Sequence, residues 1–135
     1  MTAKILLADD DASVRKMLCR LLEMENYQVL LAGTGRQAVA RFQADAPDLV
    51  LLDLKMPDQD GWQALDIMSA SGPMPPVVII TASPHQERRA AQSGADALLE
   101  KPLHLPLLLE TIKGLLSFRA HSQERVLSEN LCSAK

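Results

Sequence analysis

Much of what would mark a specialised protein is missing from this chain. Its two cysteines, Cys19 and Cys132, lie far apart without metal-ligand or redox-pair spacing, so both read as free thiols in a reducing compartment. No apolar run approaches the ~20 residues that a membrane span requires. The early apolar stretch, residues 5–8, stops at acids where a secretory signal would continue. A formal charge of −3 gives no support for non-specific nucleic-acid binding by this chain alone. With 47% apolar and 23% charged residues, disorder is not expected either. What remains is one soluble domain of ordinary size, expected in the cytoplasm.

What is there is a placement of acids. Asp9 and Asp10 follow Ile5-Leu6-Leu7-Ala8, and Asp53 follows Leu49-Val50-Leu51-Leu52. Short, wholly apolar runs of this kind are strands buried on both faces, as in a parallel sheet. Further strands are predicted at residues 28–32, 77–81 and 97–100. Between them lie helical patterns at residues 12–25, from Thr34 to a break at Pro47, around Leu65, Ile67 and Met68, and weakly at 84–93. A last helix carries the stripe Leu105, Leu108, Leu109, Ile112, Leu115 and Leu116. Asp11 is a natural N-cap, Thr34 to Gln37 has capping-box form, and Gly94 suits a C-cap.

Alternating strands and helices mean right-handed βαβ units. The expected fold is α/β: a five-stranded doubly wound parallel sheet, flavodoxin-like in its order 2-1-3-4-5, with five helices. Residues 1–117 form the predicted domain and 118–135 a polar tail or linker. In such sheets the ligand site lies beyond the carboxyl ends of the strands. Thr81 closes the fourth run and Lys101 follows the fifth, so Asp9, Asp10, Asp53, Thr81 and Lys101 should share one pocket.

Four motifs in that order carry a family resemblance: Leu7-Ala8-Asp9-Asp10-Asp11, Asp53 through Met56-Pro57 to Asp60-Gly61, Thr81-Ala82, and Lys101-Pro102. Each is weak alone. Together, over Lys4 to about Ser117, they resemble the receiver domain of two-component response regulators, of the chemotaxis-regulator type. The resemblance implies a phosphorelay protein in which Asp53 accepts a phosphoryl group. Mg²⁺ would be held by Asp10 and Asp53 directly, by Asp9 through water, and by the backbone carbonyl of Lys55. Lys101 would contact a phosphoryl oxygen, Thr81 would hydrogen-bond it, and the Lys101–Pro102 bond would be cis. These roles suit the chemistry, since phosphoryl transfer needs an in-line nucleophile and cations to absorb charge. Three carboxylates in one pocket repel, so at least one should have a raised pKa without metal. Divalent metal should therefore stabilise the fold.

The implied donor is a histidine kinase or histidine phosphotransfer protein. The implied target is a downstream effector or a fused output domain, reached through the face of the fourth helix, fifth strand and last helix; a homodimer through the last helix is a further family option. The fourth helix holds little that is apolar beyond Ala90 and Ala91, which suits an element that moves. The family usually has an aromatic at the position of Leu98, so a ring-flip readout is not available here, and Leu103 replaces another common aromatic. Lys55 and Ser83 flank the pocket, where their side chains either tune water access or stand idle. Two other readings compete. A degenerate receiver would bind partners without phosphorylation, which the intact acids, Thr81 and Lys101 argue against. A Mg²⁺-dependent phosphohydrolase with an aspartyl-phosphate intermediate would need a second acid two residues past the nucleophile, where Lys55 stands. A non-enzymatic acceptor, at most slow in autodephosphorylation, is the expectation. Trp62 reads as a packing residue, and His85, His104 and His121 as surface residues.

Overall fold

The computed structural model describes residues 2–118. Strands and helices alternate as β1 (Lys4–Ala8), α1 (Ala12–Met24), β2 (Gln28–Ala32), α2 (Gly35–Asp45), β3 (Leu49–Asp53), α3 (Gly61–Ala70), β4 (Val77–Thr81), α4 (Glu87–Ser93) and β5 (Ala97–Glu100). A fifth helix, α5, begins at residue 105 and is helical through residue 118, the last described. The strands form one parallel sheet in the order β2-β1-β3-β4-β5, as the sequence pattern predicts.

The burial of each strand follows from its place in that order. β3 and β4, flanked on both sides and covered on both faces, are buried along their whole length. Their composition, LVLLD and VVIIT, is the near-continuous apolar run that two covered faces demand. Each fully buried Leu, Val or Ile there stabilises the fold by about 1.5–3 kcal/mol relative to exposure. The edge strands β2 and β5 are only partly buried. On one face Leu6, Ala8, Val50, Leu52 and Ile79 pack with Ala38 of α2 and with Ala64, Leu65 and Met68 of α3.

The helix ends show the expected chemistry with two corrections. Asp11 caps α1 by accepting from the amides of Ser13 and Val14. Thr34 caps α2 by accepting from Gln37, but the Gln37 side chain reaches past Thr34 to the amide of Gly33. The reciprocal capping box lies instead at α3, between Asp60 and Gln63. The fourth helix is shorter than the 84–93 predicted. His85 adopts a left-handed φ of 62° and Gln86 makes no side-chain cap, so helical geometry starts only at Glu87. Gly94 does end that helix in the left-handed conformation. In α5, Leu108 and Ile112 of the predicted stripe are buried. Phe118, assigned to the tail from its sequence, is helical and exposed. The expected tail beyond it, with His121 and Cys132, lies outside the described residues.

Candidate functional site

The sheet register alone brings two of the acids together. β1 and β3 run in parallel with Ala8 opposite Leu52, so the next rung sets Asp9 beside Asp53. β4 follows with Asp53 opposite Ile80, and β5 with Thr81 opposite Glu100. The Lys101 amide then donates to the Thr81 carbonyl at 2.7 Å, tying the ends of β4 and β5. The Lys101–Pro102 peptide is cis.

Asp9 is wholly buried and Asp53 is 3% exposed, whereas Asp10 is exposed. Lys101 Nζ donates to Asp9 Oδ2 at 2.9 Å and to Asp53 Oδ2 at 3.1 Å. The second oxygens are also held. Asp9 Oδ1 accepts from the Asp11 amide at 2.9 Å, and Asp53 Oδ1 accepts from the Lys55 amide at 3.2 Å. Thr81 is buried, and its hydroxyl oxygen accepts from the Ser83 amide at 2.9 Å. A glycine sets the floor of the site. A Cβ on Gly61 would stand 2.5 Å from the Asp53 carbonyl oxygen, so only glycine lets α3 start this close to the acceptor strand.

The acids form a donor set for a hard cation. Asp9, Asp10 and Asp53 each offer a carboxylate oxygen, and these lie within 4.8 Å of one another. Carboxylate oxygens at this spacing fit a divalent cation of the Mg²⁺ or Ca²⁺ kind, and nothing in the set favours a softer metal.

Residues 5–113 match the family model of the response regulator receiver domain. The chain belongs to that family. Among curated relatives, response regulator MprA of Mycolicibacterium vanbaalenii is 38% identical over 118 residues, covering 86% of this chain and 51% of the relative. MprA of Mycobacterium tuberculosis is 36% identical over the same length. The chain thus spans about half the length of these relatives. Among solved structures, a CheY-like receiver domain protein from Methanospirillum hungatei superposes with a TM-score of 0.85 at 29% identity, covering 90% of this chain and 99% of that one. NtrX from Brucella abortus superposes with a TM-score of 0.84 at 28% identity, covering 93% of this chain but 29% of that one.

In this receiver domain the electrostatics of the pocket favour a cation. Burial raises the Asp53 pKa, the charge of Asp9 raises it further, and the Lys55 and Lys101 contacts oppose both. A raised carboxylate is what the sequence predicts, although burial outweighs the like-charge repulsion from which it was expected. Burial also lowers the Lys101 pKa, but its bonds to Asp9 and Asp53 outweigh that, and the net shift is upward. Lys101 is therefore a fixed cation at neutral pH.

All five predicted strand-end residues are brought to one edge, with Lys55 exposed beside Asp53. Trp62 is buried at the start of α3, and the guanidinium of Arg89 in α4 lies 4.7 Å from its ring centroid. His85 and His104 are exposed, as expected. Cys19 is free and its thiol pKa is pushed up to about 11 by burial, with the Glu23 carboxylate adding to it, so it is not a reactive thiol. Arg15 carries no sequence signal for the site, yet its Nη1 donates to the Asp9 carbonyl at 2.7 Å. Among the described residues no helix is long and apolar enough to cross a membrane.

Proposed function

We propose that this domain is a Mg²⁺-dependent phosphoryl acceptor of a two-component phosphorelay, with Asp53 as the acceptor and Lys101 and Thr81 as its partners. The observation that carries the reading is Lys101 Nζ lying within hydrogen-bond distance of both Asp9 and Asp53 at the carboxyl edge of the sheet. A carboxylate oxygen of Asp53 attacks the phosphorus of a phosphohistidine donor as the phosphorus–nitrogen bond breaks and the imidazole leaves with its electron pair. Lys101 is already placed to meet the charge on the phosphoryl oxygens. The Thr81 hydroxyl is free to turn its proton toward a phosphoryl oxygen, because in the resting bond it only accepts. Asp10 and Asp53, with the Lys55 carbonyl and with Asp9 through water, are the ligands we assign to the metal. Bound Mg²⁺ would supply a cation that offsets the carboxylate charge and steadies the phosphoryl oxygens.

The product adds roughly −1.5 to −2 charges at one spot. Drawing Thr81 toward it pulls on the β4–α4 connection and on α4, which is a seven-residue helix with Ala90 as its buried residue. We assign the output to the α4–β5 face and α5, and the input to a histidine kinase or histidine phosphotransfer protein, in the cytoplasm. The domain is taken to end near residue 117, and relatives about twice as long support a fused effector as the output partner. Lys55 also weighs against the phosphohydrolase reading, since it stands where that chemistry needs a second acid.

The test is intact mass after incubation with a small acyl-phosphate donor and Mg²⁺. We expect a single phosphoryl adduct that hydroxylamine removes and that neither EDTA-treated protein nor Asp53→Asn forms. An adduct that persists in Asp53→Asn would refute the assignment.

A further inference from the structure

The β1–α1 turn presents its acids through a frame that the metal ligands do not build themselves. Asp10, the exposed acid, makes no side-chain hydrogen bond among the described residues. Its position is set by Asp9 before it and Asp11 after it. Asp11 is fixed as the cap of α1, and its amide is bound to Asp9 Oδ1. The main chain of Asp9 is fixed on both sides: its amide donates to the Ala32 carbonyl at 3.1 Å, and its carbonyl accepts from Arg15 Nη1 at 2.7 Å. Arg15 rises from the first turn of α1, where its amide donates to the Asp11 carbonyl, and its side chain folds back over the acidic turn.

The course of that side chain explains a glycine. A Cβ on Gly33 would lie 2.8 Å from Arg15 Nη1 and 3.4 Å from its Cζ, while the third-nearest atom, Gln37 Oε1, would be at an ordinary 3.6 Å. Gly33 is not in a left-handed conformation, so its backbone would accept alanine. The atoms such a Cβ meets most closely are the far end of the flexible Arg15 side chain, so alanine is accommodated by moving the guanidinium.

We propose that Arg15 is a positioning residue for the metal-binding acids, acting through the main chain of Asp9, and that Gly33 is the gap that admits it. This rests on the Mg²⁺-dependent reading above. The sign of the effect separates positioning from simple charge. A guanidinium bound to the backbone of the acidic turn adds positive charge there and competes with a divalent cation, so deleting its charge by itself would tighten Mg²⁺ binding. Losing the carbonyl clamp lets the turn that carries Asp9 and Asp10 relax, which weakens it. Supporting groups around metal ligands are typically worth about 10–100-fold in affinity.

The experiment is calorimetric titration of the metal-free protein with Mg²⁺, for wild type, Arg15→Gln, Gly33→Ala and the double variant. Melting curves in EDTA would verify that each is folded. We expect both single variants to bind Mg²⁺ about 10-fold more weakly, although Gly33→Ala keeps every charge. The double variant should be no weaker than Arg15→Gln, because Gly33→Ala acts only by displacing Arg15. Mg²⁺ bound by Arg15→Gln as tightly as by wild type, or more tightly, would overturn the inference alone. Wild-type protein that takes up no Mg²⁺ would overturn the underlying reading and the inference with it.

Discussion

Replacing Lys101 by methionine tests the pocket's electrostatics without any phosphoryl donor. The ammonium is bound at 2.9 and 3.1 Å to two carboxylates, one wholly buried and the other 3% exposed. Breaking a buried ion pair by removing one partner costs about 3–5 kcal/mol. The lysine side chain is itself 23% exposed, so water screens part of this, and about 2–4 kcal/mol is the reasonable range. An unfolding entropy of ~2.1 cal/mol/K per residue gives a domain of ~120 residues about 0.25 kcal/mol/K, so Lys101→Met should melt about 8–16 °C lower at pH 7 in EDTA. The pH dependence has a definite sign. The folded Lys101 pKa lies above its ordinary value, so its contribution is complete at neutral pH and is lost only as pH rises through the folded value. On acidification the deficit should shrink as the carboxylates protonate and no longer need the cation. Thermal unfolding of both proteins from pH 7 down to pH 3 reads this directly. A fall of less than about 2 °C at pH 7, or a deficit that does not narrow in acid, would refute the reasoning.

Other perturbations probe other elements. Because the folded Asp53 pKa is raised, metal-free stability should decline as pH rises from the ordinary carboxylate value through the folded one. Asp53→Asn should therefore melt above wild type at pH 7 in EDTA and converge with it below about pH 4; a lower melting point at pH 7 would contradict this. Ala46 closes α2 with a left-handed φ of 46°, where a side chain is strained, so Ala46→Gly should stabilise by about 0.5–1 kcal/mol and raise the melting point by about 2–4 °C. Arg89→Ala removes the cation from the Trp62 ring, worth about 1 kcal/mol. Amide exchange in residues 87–93 should then quicken about five-fold and the single tryptophan's emission should shift to the red, whereas unchanged exchange would mean that α4 is held by other contacts.

The fold was legible because apolar runs reveal buried parallel strands and their number constrains the topology. Leu49-Val50-Leu51-Leu52 needs both faces covered, and a central strand is what supplies them. The site was legible because Asp9, Asp53, Thr81 and Lys101 each stand at the end of such a run, so the register does the assembling. Contacts that depend on side-chain course were not legible. Nothing in the spacing shows that Arg15 turns back onto the Asp9 carbonyl, or that Arg89 covers Trp62. The start of α4 is not legible either, since residues 84–86 read as continuous with the helix while a left-handed His85 interrupts it. Like charges predict that at least one carboxylate is raised but not which; that it is Asp53, and that burial is the larger cause, is a tertiary property.

The central claim is that one carboxylate, that of Asp53, takes the phosphoryl group. Borohydride reduction of the phosphorylated protein converts an acyl phosphate to the corresponding alcohol, and peptide mapping by mass then locates it. The account predicts a single reduced residue, at position 53, formed only with Mg²⁺ and greatly diminished in Lys101→Met. Reduction at Asp9 or Asp10, or label spread over several acids, would contradict it.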